Sequence, residues 1–281
     1  MGSLTLFQQT NHDGFPKAAE LIEIQGAFAL EASDRMLFNH LLQHAHDSGL
    51  LGEPDARWEL TFATLLRSGS KHESSDRIRQ SLKRLRRTEV KVTYQEGKGN
   101  WREYDTHLLE FTDTSKTPSR MATVRYGIPR DLRDILVRSN RWGRIRCEVS
   151  YSMSSKYAIA LYEIVCLRKK LDRKVETFPL GKFRELLGVP PNSYGRGDNF
   201  MRFVIRPALL EVNGLSDMGV KIELVRKHAR APIDSVEVEW WGKEGNEFRA
   251  AIEERNRSKV GRMARLKANV EKAPCSSLMT A

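Results

Sequence analysis

Arg202 and Arg206 stand four residues apart in the run DNFMRFVIRPALLEVNGL, with Arg196 and Asn199 just before them. A guanidinium can donate two parallel hydrogen bonds to guanine O6 and N7. Residues four apart on a helix lie one turn apart on the same side, so both arginines could enter one DNA groove. Arg196 and Asn199 fall at or before the helix start, where side chains and free backbone N–H groups hold phosphate. A second set, Arg77, Gln80, Lys83, Arg84 and Arg87, points away from the apolar stripe Ile78, Leu82 and Leu85 in SSDRIRQSLKRLRRTEV. Such a face neutralises phosphates, and Gln80 is its one amide suited to a base edge. Two turns add cations: Lys98 at the tip of EGKGN, and Lys227 and Arg230 in RKHARAPID. Each set also has a plainer reading as solvated surface.

Other chemistries fit less well. His44-Ala45-His46 with a distant tyrosine resembles the metal site of rolling-circle nicking enzymes. That site needs both imidazoles on one face of a strand. Here the triplet lies in a helical stripe of Leu37, Phe38, Leu41, Leu42 and Ala45, which turns the rings about 200° apart. His40 and His44 have helical ligand spacing, but no HExxH arrangement completes them. These histidines read as satisfied surface groups, and Tyr157 and Tyr162 as core. Gly195-Arg196-Gly197 lacks the context of a phosphate loop and no GxxxxGK[ST] occurs, so no cofactor is expected. Cys147, Cys166 and Cys275 show no CxxC spacing and read as free thiols in a reducing cytoplasm, without zinc.

The elements that must position these residues follow from periodicity. In the 281-residue chain, 40% hydrophobic and 30% charged content describes a globular protein able to build cores. No apolar run approaches the ~20 residues of a membrane span, and the start lacks the features of a secretory signal. Net charge is +11, concentrated as +6 over residues 67–91 and +5 over 249–272, which suggests a polyanion partner. Helical spacing marks residues 32–48, with Ser33 as a candidate N-cap, and residues 74–87, capped by Ser74 or Ser75. A hairpin follows over VKVTY, EGKGN and a return strand from Trp101 toward Phe111, then a strand at 122–126, a helix at 129–137 and the connector NRWGRIR.

The order then repeats. SSKYAIALYEIVCLRKKL forms a helix, residues 176–179 a strand, and GKFRELLGV a short helix stopped by Gly188 and Pro190-Pro191. A further helix runs from about Asp198 to Asn213-Gly214, with Phe200, Val204, Ile205, Ala208 and Val212 buried. Pro207 kinks it, or else the helix starts at Pro207 and leaves Arg202 outside. Alternating strands around Val220, Ile222, Leu224 and Val236, Val238, Trp240 close the unit. This order is that of a winged helix, whose helix-turn-helix sets its second helix in a major groove. The fold class expected is α+β, as two tandem winged-helix domains. An arm spans residues 1–25, with Leu21, Ile22 and Ile24 as strand candidates; the first domain spans 26–146, the second 147–243, and a basic tail, a charged helix or arm that orders on contact, spans 244–281.

SKYAIALYEI, FPLGKFRELLGV, Tyr194, FMRFVIRPALLEVN and SDMGVKIELVRK, in that order, resemble the plasmid replication initiator family with tandem winged helices. Strong similarity covers about a third of the chain; the first unit fits in layout. The resemblance implies binding of double-stranded DNA at origin repeats (iterons) and at an operator, opening of adjacent DNA, and recruitment of the host replication initiator and replicative helicase. It also implies a homodimer/monomer equilibrium, with the first domain as dimer interface, dimers repressing the initiator's own promoter and monomers initiating. Members of that family are richer in cations through the segment equivalent to Asn199–Arg206, where Met201 and Phe203 here leave only Arg202 and Arg206, so the base-reading set can differ from theirs. The expected protein is cytoplasmic, bacterial, membrane-free and not an enzyme. A dedicated transcriptional repressor and a nicking enzyme stand as the alternatives.

Overall fold

The computed structural model describes residues 14–68, 74–116, 121–228 and 231–270. The first unit runs β1 (Phe15–Ala18), α1 (Ala19–Ile22), α2 (Ala32–Asp47), β2 (Trp58–Thr61), α3 (Phe62–Ser68), α4 (Ser75–Arg87), β3 (Glu89–Gln95), β4 (Trp101–His107), β5 (Phe111–Thr114), β6 (Thr123–Gly127), α5 (Arg130–Arg138) and β7 (Trp142–Ile145). Next come α6 (Cys147–Ser152) and α7 (Lys156–Arg168). The second unit continues with β8 (Val175–Pro179), α8 (Leu180–Leu186), α9 (Gly197–Phe200), a π-helical turn at Met201–Ile205, α10 (Arg206–Leu215), β9 (Met218–Arg226) and β10 (Ile233–Gly242). Two more helices, α11 (Gly245–Asn256) and α12 (Arg262–Val270), follow.

Three features correct the sequence reading. The expected N-terminal arm is part of the fold from Phe15 on. β1 pairs antiparallel with β7, the expected connector, from Phe15↔Ile145 to Ala18↔Trp142. Leu21 and Ile22 are buried in a helix, not in a strand. The basic tail, expected as a charged helix or arm that orders on contact, forms two helices, α11 and α12, which pack on α10 within the chain itself. Leu266 is only 1% exposed, and a Cβ on Gly214 would sit 2.2 Å from its Cδ2, so the helices meet where a side chain is missing. One well-placed leucine and a close approach replace a continuous apolar stripe. The N-terminus of α2 lies at Glu31, not Ser33, and the Glu31 N–H donates to the Asp34 carboxylate at 2.8 Å.

Strand pairing gives each unit its own sheet. In the first, β2, β6 and β5 form three antiparallel strands, and the β3–β4 hairpin stands apart from them. In the second, the order is β8, β10, β9, with Trp240 opposite Val220. α7 belongs to both units. It carries no amphipathic stripe: Ala158 through Cys166 are all buried, as a helix hydrophobic all round must be. It packs on α2 and β7 on one side and on α10 and β9 on the other.

The one acidic side chain on that buried surface is satisfied from the first unit. Glu163, 1% exposed, accepts from Lys17 Nζ at 2.8 Å and from Asn39 Nδ2 at 2.7 Å. Lys17 also donates to Asn39 Oδ1 at 2.9 Å, so β1, α2 and α7 share one closed polar triad. Burial lowers the Lys17 ammonium from its ordinary value, and the Glu163 carboxylate pulls it back up. Removing one member of a buried pair strands the other charge. Glu163→Ala is therefore expected to cost about 3–5 kcal/mol in urea denaturation, and pairing it with Lys17→Met to recover most of that loss. A single-variant cost near zero would contradict the triad's role.

Candidate nucleic-acid interface

The helix from Gly197 to Leu215 is continuous, and a π-helical turn crosses its middle. The helix does not start at Pro207, so Arg202 lies within it. Proline lacks an N–H, and its ring crowds the carbonyl four residues back, here that of Phe203. The wide turn just before Pro207 relieves both strains. It also answers a phase problem. Phe200, Val204, Ala208 and Val212 recur every four residues, which drifts by about 40° per step on a regular α-helix. The wide turn takes up part of that drift and keeps all four buried, together with Ile205. The opposite face carries Asn199, Arg202, Phe203 and Arg206, with Arg202, Phe203 and Arg206 exposed.

Four contacts brace this helix from behind. The Glu211 carboxylate accepts the Ser154 and Ser155 N–H groups at 3.0–3.1 Å, capping α7 at its electropositive end. Asn213 both donates to Val220 O at 2.9 Å and accepts from Val220 N at 2.7 Å, stitching the helix to β9. Lys243 donates to the Asn213 and Ser216 carbonyls at the helix C-terminus, and burial lowers its ammonium to about 8. Leu266 closes on Gly214.

In front, the turn is clamped by Arg184, a residue the sequence reading passed over. Its guanidinium donates to the Ser193 and Tyr194 carbonyls and lies 4.9 Å from the Phe200 ring centroid. A cation amid the apolar residues of FRELLGV is the only hint the sequence offers. The wing reaches the helix start: a Cβ on Gly197 would lie 2.2 Å from Ile233 Cδ1 and 3.4 Å from Arg226 Nη2. Arg226 also donates to Ala231 O at 2.7 Å, closing the wing tip. Arg196, Asn199 and Lys227 thus lie within two residues of one junction. Arg196 is exposed and pairs with Asp198 at 2.9 Å. Arg230 lies outside the described residues.

α4 splits its cations. Ser74 accepts from Arg77 N at 3.3 Å, and Ile78, Leu82 and Leu85 are buried as the spacing predicts. Arg77, Gln80, Lys83 and Arg87 are exposed. Arg84 is not a free DNA-facing cation. Its Nε and Nη2 bond both oxygens of Asp34 at 2.7 and 2.9 Å, and Asp34 is 0% exposed, so Arg84 ties α4 to α2. Helical phase put Arg84 on the outer face because α2 cannot be seen from α4's own sequence. Lys98, at the tip of β3–β4, is exposed. Lys83 and Arg87 also line a groove of about 1020 Å³ whose other wall includes Pro190, Pro191 and Asn192 of the second unit's turn. The two units therefore present α4 and the Pro190–Asn192 turn across one cleft. Lys83→Ala with Arg87→Ala is expected to flatten the salt dependence of DNA binding by about two charges and leave stability unchanged. Arg84→Ala is expected instead to lower stability by about 3 kcal/mol. Salt titrations and urea melts of the variants separate the two roles; a reversed pattern would refute this division.

The remaining candidates are structural. His40 Nδ1 lies 2.7 Å from the Tyr151 hydroxyl and His44 Nδ1 3.1 Å from that of Tyr126. These two are half-buried, not surface groups, and burial lowers His40 to about 4. Cys147 and Cys166 are free and buried, and burial pushes Cys147 up to about 12; Cys275 lies outside the described residues. Among the described residues, no helix is long and apolar enough to cross a membrane.

No curated protein matches the chain at a significant level. A solved structure of domains 2 and 3 of RctB is similar at 16% identity and a TM-score of 0.45, over 74% of this chain and 80% of that one. Residues 16–166 match the family described as initiator replication protein, WH1, and residues 179–240 match initiator Rep protein, WH2. With the first match alone spanning more than half its length, the chain belongs to the initiator Rep family of plasmid replication proteins and carries that family's two winged-helix modules in order.

Proposed function

We propose that this protein starts plasmid replication by binding repeated sites (iterons) at the origin and opening the adjacent duplex. In this reading dimers repress the initiator's own promoter, monomers initiate, and the first unit forms the dimer interface. The opened origin receives the host initiator and the replicative helicase in the bacterial cytoplasm. The chemistry is electrostatic and conformational. Lysine and arginine displace counterions from phosphates, helix side chains select bases, and the protein makes and breaks no covalent bond.

One observation carries the reading: Arg202 and Arg206 stand open on the outer face of a helix braced at Glu211, Asn213, Gly214 and the Lys243 contacts. A fixed helix presents its arginines in one register, which base selection needs. The exposed cations of α4 support contact by the first unit with the same duplex.

Arg202→Ala and Arg206→Ala are each expected to cost ~1–3 kcal/mol in binding and to relax preference at particular base pairs. Full affinity and selectivity in both variants would remove the assignment. A plasmid carrying only this gene and its upstream repeats is expected to replicate, with no covalent tyrosine–DNA adduct on the supercoiled form. Repression without replication would turn the reading to a dedicated repressor, and an adduct would turn it to a nicking enzyme.

A further inference from the structure

Phe203 breaks the pattern of its helix. Phe200, Val204, Ile205, Ala208 and Val212 are at most 1% exposed, whereas Phe203 is 48% exposed in the middle of the stripe that carries Arg202 and Arg206. Its ring is held in place. The Arg202 guanidinium carbon lies 5.1 Å from the ring centroid, and the Tyr194 ring centroid lies 5.9 Å away at an interplanar angle of 30°. Tyr194 is fixed by its own backbone, since its carbonyl accepts from Arg184 at 3.2 Å. The π-helical turn lies at Met201–Ile205, so Phe203 sits at its centre. Leaving a phenyl ring in water has an unfavourable hydration cost that folding it inward would remove. Here the sequence and the wide turn keep it outside, beside two cations.

Thymine is the base whose major-groove edge carries a methyl group, and apolar side chains recognise it by contact. Guanine is the base read by arginine. Resting on the DNA-binding reading above, we propose that Phe203 is a specificity-determining residue: it packs against the 5-methyl group of a thymine next to the guanine bonded by Arg202 or Arg206. The helix then selects a mixed guanine–thymine step. Tyr194 acts as a positioning residue that keeps the ring from rotating away.

The test uses the full chain and a duplex that it selects from a random pool. Each thymine is replaced in turn by deoxyuridine, which removes only the methyl, and binding is followed by fluorescence anisotropy. At one position the wild-type protein is expected to bind about fourfold more weakly, the loss of one buried methyl-sized group. Phe203→Ala is expected to bind the parent duplex more weakly and to show no further loss at that position, whereas Phe203→Leu keeps the sensitivity. Thermal melts that match wild type would show that the half-exposed ring is not needed for folding. Equal binding to every deoxyuridine duplex, or an undiminished loss in Phe203→Ala, overturns the assignment. If Arg202→Ala still weakens binding in that case, only the Phe203 proposal falls. If no duplex is selected at all, the DNA-binding reading falls with it.

Discussion

The carboxylate of Glu163 lies on a helix with no solvent face, and the rest of the molecule is arranged so that it is paired. A buried charge without partners costs several kcal/mol, so Lys17 and Asn39 must both reach it from the first unit. β1 is therefore held in place by polar pairing as well as by its ladder with β7. The same helix presents its other side to α10 and β9. A single element buried within one core that runs through both units leaves them little freedom to separate.

Function builds outward from that mount. The N-terminus of α7 is capped by Glu211, which belongs to the helix carrying Arg202 and Arg206, so the two helices fix each other. Asn213 and Lys243 hold the far end, and α11 and α12 cover it from behind. Every one of these contacts lies on the inner side of the helix or at its C-terminus. The outer side is left to Asn199, Arg202, Phe203 and Arg206, and the wing closes on its start through Ile233. Rigid support behind and open side chains in front is the division of labour that base selection requires.

Much of this was legible in the sequence, for a definite reason. The stripes Ile78–Leu82–Leu85 and Phe200–Val204–Ala208–Val212 follow from local periodicity, and the Ser74 cap follows from local chemistry. The residues carrying the family resemblance turn out to be braces: Glu163 in LYE, and Glu211 and Asn213 in PALLEVN. What stayed hidden depends on partners distant in sequence. Arg84 reads as a surface cation until Asp34, 50 residues earlier, is placed beside it. Residues 15–25 lack periodicity because β1 is only four residues long and is completed by β7. Leu266 seems isolated in a polar segment until Gly214 supplies the gap that it fills. The wide turn before Pro207 is a compromise between a proline and a four-residue repeat, and neither alone dictates it.

The central claim is that both units grip one length of duplex at the same time. Affinity cleavage tests it most directly. In a Cys275→Ser background, Gln80→Cys on α4 and Lys227→Cys on the wing, each carrying an iron–EDTA reagent, place a cutting centre on either unit while Cys147 and Cys166 stay buried. The account predicts that both proteins cut the same selected duplex, in clusters on opposite flanks of the site. Cutting from the wing alone, with the α4 reagent leaving that duplex intact, would contradict it.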